Sequence, residues 1–184
     1  MLSEFQKQKW IHFFNILDFN KNGKITIDDF IAIAENLCVL WGVREGDDEY
    51  KEVMTKCKNS WTSFTKAIPD DMVMEVHRNQ VLLLADEFIG GDGKYFDEYV
   101  SSFVGEIFSQ FDVNNDDYLS LDEYVDLFMA YHIEIRYSAK SFMKLDLNGD
   151  DLLSRDELVA AVRQYFIGDN KEERGNWLFG FWNV

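Results

Sequence analysis

Two stretches in the second half of the chain share one pattern: DVNNDDYLSLDE at residues 112–123 and DLNGDDLLSRDE at residues 146–157. Both begin with Asp, have Asn at the third position and Asp at the fifth, and end with Glu. A third stretch, DFNKNGKITIDD at residues 18–29, keeps most of the pattern but ends with Asp29. Since a recurring pattern indicates a recurring local structure, we expect the same loop three times.

Each of these stretches lies between two amphipathic patterns with helical spacing, in which apolar residues recur at i, i+3, i+4 and i+7. No strand pattern of useful length appears, so the sequence predicts an all-α fold. The apolar positions that define the main helices are Trp10, Phe13, Phe14, Leu17, Phe30, Ile33, Leu37, Val100, Val104, Ile107, Phe111, Tyr124, Leu127, Phe142, Leu158 and Val162.

Alternating oxygen-bearing residues are the chemistry that a hard divalent cation requires. Ca²⁺ takes about six to eight oxygens, and a twelve-residue loop supplies them from positions 1, 3, 5, 7, 9 and 12. Position 7 contributes its backbone carbonyl, which is why Lys24, Tyr118 and Leu152 are included. The predicted ligands are Asp18, Asn20, Asn22, Lys24, Thr26 and Asp29; Asp112, Asn114, Asp116, Tyr118, Ser120 and Glu123; and Asp146, Asn148, Asp150, Leu152, Ser154 and Glu157.

None of the three loops matches the strict motif, and each departs at one position. Asp117 and Asp151 stand at the sixth position, where a sharp turn with positive φ favours Gly; Asp tolerates that conformation at a cost of about 1 kcal/mol. Asp29 is one methylene shorter than Glu at the last position. We therefore expect the loop at 18–29 to be the weakest for Ca²⁺ and the most tolerant of Mg²⁺, which prefers a smaller cage.

Helix–loop–helix units of this kind bury their apolar faces in pairs. The sequence predicts one pair in residues 1–90 and another in residues 91–184, forming one compact globule. The partner of the first loop is expected at Lys66 to His77, a degenerate loop with Val73 at position 8 that should not hold an ion. Phe88 to Tyr99 is the rival candidate for this second loop.

The charge of the chain restricts its partners. It has 18 Lys and Arg against 34 Asp and Glu, a net charge of −16, which repels nucleic acid and anionic lipid and attracts cations. No apolar run is long enough for a membrane span, and the N-terminal residues show no signal peptide. Cys38 and Cys57 are expected to be reduced thiols in the core. These features predict a monomeric, cytoplasmic protein.

The loops, together with KWIHFFNILD at residues 9–18 and GNWLFG at residues 175–180, resemble the EF-hand superfamily. Within it, the chain is similar to the invertebrate sarcoplasmic calcium-binding proteins and the calexcitins. The resemblance covers essentially the whole chain. It implies four EF-hand units, metal at the first, third and fourth, and buffering or signalling of calcium. The coelenterazine photoproteins share this architecture, but Tyr165 and the ending Asn183-Val184 replace groups that light emission requires.

Other classes of function have weaker support. Gly90 to Lys94 lacks the spacing of a phosphate-binding loop, and no nucleophile–base motif surrounds His12, His77 or His132. We therefore expect a protein that is not an enzyme and that buffers Ca²⁺. The alternatives are a sensor that exposes an apolar surface to a target such as an ion channel, and a carrier of an apolar small molecule. The tail aromatics Trp177, Phe179, Phe181 and Trp182 are expected to cover the core between the two halves, with anchoring of a protein partner as the other reading.

Overall fold

The computed structural model describes residues 1–68, 73–91 and 93–181. Within them the chain forms eight α-helices, four two-residue strands and two short 3-10 helices, at Ile135–Tyr137 and Arg174–Trp177. The helices are α1 (Glu4–Leu17), α2 (Ile27–Trp41), α3 (Asp48–Lys66), α4 (Arg78–Gly90), α5 (Lys94–Phe111), α6 (Leu121–Ala130), α7 (Ser138–Leu145) and α8 (Arg155–Ile167). The strands are β1 (Lys24–Ile25), β2 (Val76–His77), β3 (Tyr118–Leu119) and β4 (Leu153–Ser154). The predicted all-α fold is confirmed.

The strands join the loops two by two. In the first antiparallel pair Ile25 lies opposite Val76, and in the second Leu119 lies opposite Leu153. All four side chains are fully buried, because each points from its loop into the core. The four helix–loop–helix units are thus arranged in two pairs.

The register of the first pair corrects one sequence prediction. Val76, and not Val73, occupies the eighth position of the second unit. α3 continues to Lys66, so the degenerate loop, counted from Val76, spans residues 69–80 rather than 66–77. Val73 and Val76 are both apolar, and only pairing with Ile25 distinguishes them. Residues 69–72 of the predicted loop lie outside the described residues.

The rival placement of the second loop is also wrong. Most of Phe88 to Tyr99 is helical, with α4 ending at Gly90 and α5 beginning at Lys94. Asp92, between them, lies outside the described residues. The assignment of separate halves at 1–90 and 91–184 stays a prediction.

One continuous aromatic core runs through both pairs. Phe13 of α1 packs against Phe64 of α3, Phe103 of α5 and Phe166 of α8, with ring centroids 4.9 to 6.4 Å apart. The indole of Trp10 donates a hydrogen bond to the carbonyl of Phe166 at 2.9 Å. Such edge-to-face ring pairs add to the free energy of area burial. The first and last helices are therefore packed together at the centre of the molecule.

The C-terminal tail returns to this core. Phe179 is only 5% exposed and its ring lies 5.0 Å from that of Tyr165 and 5.8 Å from that of Phe13. The hydroxyl of Tyr124 donates a hydrogen bond to the carbonyl of Leu178 at 2.8 Å. The expected covering of the core by the tail is confirmed for Phe179, and Trp177 is half-buried. It is wrong for Phe181, which is 47% exposed, and Trp182 lies outside the described residues.

Both cysteines are buried and free, as predicted. No described helix has the length and apolar character needed to cross a membrane.

Candidate metal centres

The loops at 112–123 and 146–157 are closed by hydrogen bonds to their first residue. The carboxylate of Asp112 accepts hydrogen bonds from the amides of Asp116 and Asp117, both at 3.1 Å. In the same way Asp146 accepts from the amides of Gly149 at 2.7 Å and Asp151 at 3.0 Å. The loop amides thereby turn each carboxylate inward, where a cation ligand is required.

The last residue of each loop closes it from the other side. Glu123 accepts hydrogen bonds from the amide of Val113 at 3.0 Å on one oxygen, and from the amide and hydroxyl of Ser120, both at 2.8 Å, on the other. Glu157 repeats these contacts with the amides of Leu147 and Ser154. Each serine is at once the N-cap of the following helix and the ninth residue of its loop, so helix initiation and loop closure use the same side chains.

Two opposing effects act on the pKa of Glu157. Burial raises it, but hydrogen bonds from Ser154, Leu147 and Asn148 outweigh burial and hold the pKa below the ordinary value. The carboxylate therefore stays ionised, as a cation ligand must be.

The first loop has the same closure with a shorter final side chain. Asp18 accepts from the amides of Asn22 at 3.0 Å and Gly23 at 2.9 Å. Asp29 is fully buried and accepts from the amides of Thr26 at 2.8 Å and Asn20 at 3.2 Å. In the other two loops Glu reaches the amide of the second residue, and Glu157 also accepts from that of the third, Asn148, at 3.3 Å. Of these two amides, Asp29 bonds only that of the third residue. One methylene fewer thus draws this carboxylate to a different place along the loop.

The backbone of the loops explains the residues at the sixth position. Asp117 and Asp151 have φ values of 64° and 63°, and Gly23 has 89°. The fourth position also has positive φ, at Lys21, Asn115 and Gly149, with values of 59°, 57° and 76°. The sequence analysis identified the need for positive φ at the sixth position and missed it at the fourth. Asn115 and Gly149 were a signal for the fourth position, because Asn and Gly tolerate positive φ.

The second unit keeps the closure without the charge. Gln80, its twelfth residue in the corrected register, accepts a hydrogen bond from the amide of His77 at 2.8 Å. This contact matches that of Glu123 with Ser120, but a neutral amide replaces the carboxylate. That this unit holds no ion stays a prediction. The sequence analysis placed His77 at its last position, and the corrected register places Gln80 there.

The structure brings the predicted ligands of each loop together, and carboxylates are only part of each set. Within residues 1–68, 73–91 and 93–181, no group of three or more His, Cys, Asp or Glu side chains is placed to hold a metal ion by itself. A cation in these loops would therefore depend on amide, hydroxyl and backbone carbonyl oxygens as well, which is the mixed oxygen set that Ca²⁺ accepts. That these residues bind metal stays a prediction.

Comparison with known proteins identifies the fold. The family model described as EF hand matches residues 11–34, which include the first loop. The chain has the EF-hand fold. Solved structures agree: a sarcoplasmic calcium-binding protein from amphioxus is 18% identical, with a TM-score of 0.71 and coverage of 100% of both chains. The predicted resemblance is thus confirmed at the level of the EF-hand fold.

Two further structures show how widely this EF-hand arrangement is used. The coelenterazine-binding protein of Renilla muelleri, in its Ca-loaded apo form, is 18% identical with a TM-score of 0.76, over 98% of this chain and 100% of that one. A calcium-binding protein of Streptomyces coelicolor is 17% identical with a TM-score of 0.70, over 90% and 99%. The search of curated proteins gave no significant match.

The sequence analysis missed two residues of α5 and one ion pair. Tyr99 and Glu106 line a partly open cavity, and Arg155 contacts Asp117 across the two C-terminal loops. The signal for the first two was present, because polar groups interrupt the strongest apolar stripe in the chain. The ion pair depends on the pairing of the loops and has no local signal.

Proposed function

We propose that this EF-hand protein binds Ca²⁺ at the loops 18–29, 112–123 and 146–157 and acts as a calcium buffer. The observation that supports this most is the repeated closure of the three loops, in which the first and last carboxylates are held inward by amide N–H groups. Ordered in advance, these oxygens lose little freedom when a cation arrives. The net charge of −16 adds long-range attraction for cations.

We further propose that the loop at 18–29 exchanges Ca²⁺ for Mg²⁺ more readily than the others. It has two predicted carboxylate ligands, Asp18 and Asp29, whereas each of the other loops has three. Asp29 bonds the amide of Asn20 but not that of the second loop residue, which both Glu123 and Glu157 reach, and this supports a smaller cage. Mg²⁺ accepts a smaller, octahedral site and coordination by one or two carboxylates.

A buffer remains closed when it binds calcium, while a sensor opens an apolar groove. The continuous core and the docked Phe179 support a closed molecule. Calcium-dependent retention on a hydrophobic resin would favour the sensor, with a target such as an ion channel. We also propose a monomer in the cytoplasm with no catalytic activity. The cavity lined by Tyr99 and Glu106 has a volume of about 60 Å³, and a more open pocket beside His12 and Tyr137 has about 250 Å³. Both lie below the roughly 300–1,000 Å³ of pockets for drug-sized ligands, so a carrier of large apolar molecules has little support.

Calorimetric titration with Ca²⁺, with and without Mg²⁺, tests the proposal. Wild type should bind three ions, and Glu123→Gln with Glu157→Gln should weaken two of them by roughly tenfold or more, because ligand charge sets affinity. Asp122→Asn with Asp156→Asn is the matched control, since these exposed neighbours are not ligands. Absence of calcium binding in wild type, or equal losses in both double variants, would contradict the proposal.

A further inference from the structure

A partly open cavity of about 60 Å³ lies among α1, α2, α3, α5, α6 and the returning tail. Six phenylalanines line it: Phe13, Phe30, Phe64, Phe103, Phe111 and Phe179. A water molecule needs only about 10–15 Å³ of such space. The cavity therefore has room for a compact molecule of about four or five non-hydrogen atoms.

Tyr99 lines this cavity and carries a buried polar group that is unsatisfied. Its side chain is buried at 8% exposure, and its hydroxyl has no hydrogen-bond partner among the described residues. The ring is fixed by Phe88 at 4.8 Å and by Phe103 at 5.9 Å, so the hydroxyl has little freedom to turn elsewhere. Because a buried hydroxyl without a partner is destabilising, this hydroxyl is available to a water molecule or to a ligand.

Among the described residues that line the cavity, Glu106 is the only charged one. Its two carboxylate oxygens accept hydrogen bonds from the hydroxyls of Ser60 at 2.8 Å and Ser63 at 3.0 Å. The lining contains no Lys, Arg or His, so neutral hydroxyls are its only described partners there. Ser60 also receives a hydrogen bond from Gln110 at 2.7 Å, which fixes its position. A half-buried carboxylate is thus held in place, without a counter-ion, beside a cavity of aromatic rings.

This combination selects for a cation. Aromatic faces attract cations through their quadrupole, and the attraction strengthens where water is excluded. A carboxylate adds direct charge attraction that a neutral ligand cannot use. A phenol oxygen can accept one N–H hydrogen bond. No single one of these groups is specific, but all three line one cavity.

We propose that the cavity binds a compact organic ammonium ion of the methylated-amine class, held by Glu106, by the aromatic rings and by the hydroxyl of Tyr99. This site is separate from the metal loops and goes beyond the proposed calcium function. Net negative charge over the whole protein would raise the local concentration of such a cation.

The test compares trimethylammonium with tert-butanol, a neutral molecule that also has three methyl groups and one hydrogen-bond donor. Binding to the full-length, calcium-saturated protein is measured by calorimetry and by NMR of the phenylalanine rings, at constant ionic strength. We expect trimethylammonium to bind with a Kd of about 1 mM or lower, given its few atoms, and tert-butanol to bind at least about tenfold more weakly. Equal binding of the two would show a simple apolar void and overturn the proposal, as would no binding of either.

Two variants identify the groups responsible. Glu106→Gln should weaken trimethylammonium binding by about tenfold or more and leave tert-butanol unaffected, because only the charge changes. Tyr99→Phe should weaken it by about threefold to tenfold, through loss of one hydrogen bond. The second variant removes a hydroxyl without a described partner, so it keeps the fold.

Glu98→Gln is the matched control, an exposed carboxylate on the same helix. It should change affinity by less than about twofold, because salt screens exposed charges. If Glu98→Gln weakens binding as much as Glu106→Gln, the ammonium ion is attracted only by the overall charge, and the cavity site is wrong. Since these measurements do not count calcium sites, their failure would leave the calcium proposal standing.

Discussion

The guanidinium of Arg155 donates two hydrogen bonds to one carboxylate oxygen of Asp117, at 2.9 and 3.2 Å. Asp117 is the sixth residue of the third loop and Arg155 is the tenth residue of the fourth. The pair therefore connects two loops that also share the short strand pairing of Leu119 with Leu153. Arg155 also lies over the ring of Phe108 at 4.2 Å, which limits its motion. Asp117, which stands where the strict motif has Gly, thus makes a contact that Gly could not make.

Asp117→Gly and Asp151→Gly should differ in their effect on stability. Both relieve a positive φ, which should stabilise the fold by about 0.5–1 kcal/mol. Asp117→Gly also removes the ion pair with Arg155, which at exposed positions contributes about 0.2–1 kcal/mol. We expect a gain for Asp151→Gly and almost no change for Asp117→Gly, measured by urea unfolding with saturating Ca²⁺. Equal gains would show that the ion pair contributes nothing.

Asp29→Glu should convert the first loop towards the geometry of the other two. The longer side chain can reach the amide of Phe19, the second loop residue, as Glu123 reaches Val113. We expect Ca²⁺ affinity at this loop to rise by roughly tenfold and competition by Mg²⁺ to fall, since a wider bidentate cage suits the larger ion. Titration calorimetry measures both. Asp28→Glu, at the exposed neighbouring residue, is the control and should leave both affinities unchanged.

The helices and metal loops were predictable because their signals are local. The spacing of Trp10, Phe13 and Leu17 is enough to predict α1. The metal-loop pattern is complete within the twelve residues from Asp112 to Glu123. Each local preference agrees with the global fold, which is the condition for reading structure from sequence. The docked position of Phe179 was predictable for the same reason, since a large aromatic near the end of a chain needs burial.

The features that failed depend on distant contacts. Val73 and Val76 are equally suitable apolar residues for the eighth position. Only the strand pairing with Ile25, some fifty residues away in sequence, shows that Val76 occupies it. The Arg155–Asp117 pair and the cavity lined by Tyr99 and Glu106 arise only when separate helices meet. No local pattern encodes this ion pair or this cavity. The sequence could therefore indicate that α5 carries polar residues, but not which groups of other helices lie opposite them.

Phe179→Ala should show how much the tail contributes to the core. Its ring packs against Phe13 and Tyr165, so truncation leaves a void and should lower the free energy of unfolding by about 3 kcal/mol. Phe181→Ala is the control, because Phe181 is 47% exposed and should cost less than about 1 kcal/mol. Urea unfolding with saturating Ca²⁺ measures both. Similar small losses would mean that the tail docks without stabilising the molecule.

His12 should make the fold sensitive to mild acid. Its Nδ1 lies 2.8 Å from the hydroxyl of Tyr165, and that hydroxyl donates a hydrogen bond to the carbonyl of Lys9 at 3.0 Å. The hydroxyl therefore accepts from Nδ1–H of His12. Burial, with a smaller contribution from Lys21, lowers the pKa of His12 from 6.5 to about 4. The folded protein thus keeps this imidazole neutral where the unfolded chain would protonate it.

The direction of the effect follows from proton binding. Between about pH 6.5 and about pH 4 the unfolded chain holds a proton on His12 that the folded protein does not, so falling pH favours unfolding. Between about pH 7 and about pH 5 the loss should be about 2 kcal/mol. Urea unfolding of wild type and His12→Gln at both pH values isolates the contribution of His12 to the free energy of unfolding, because the carboxylates titrate alike in both proteins. The variant should lose about 2 kcal/mol less than wild type over this range, and equal losses would show that His12 is protonated in the folded protein as easily as in the unfolded chain.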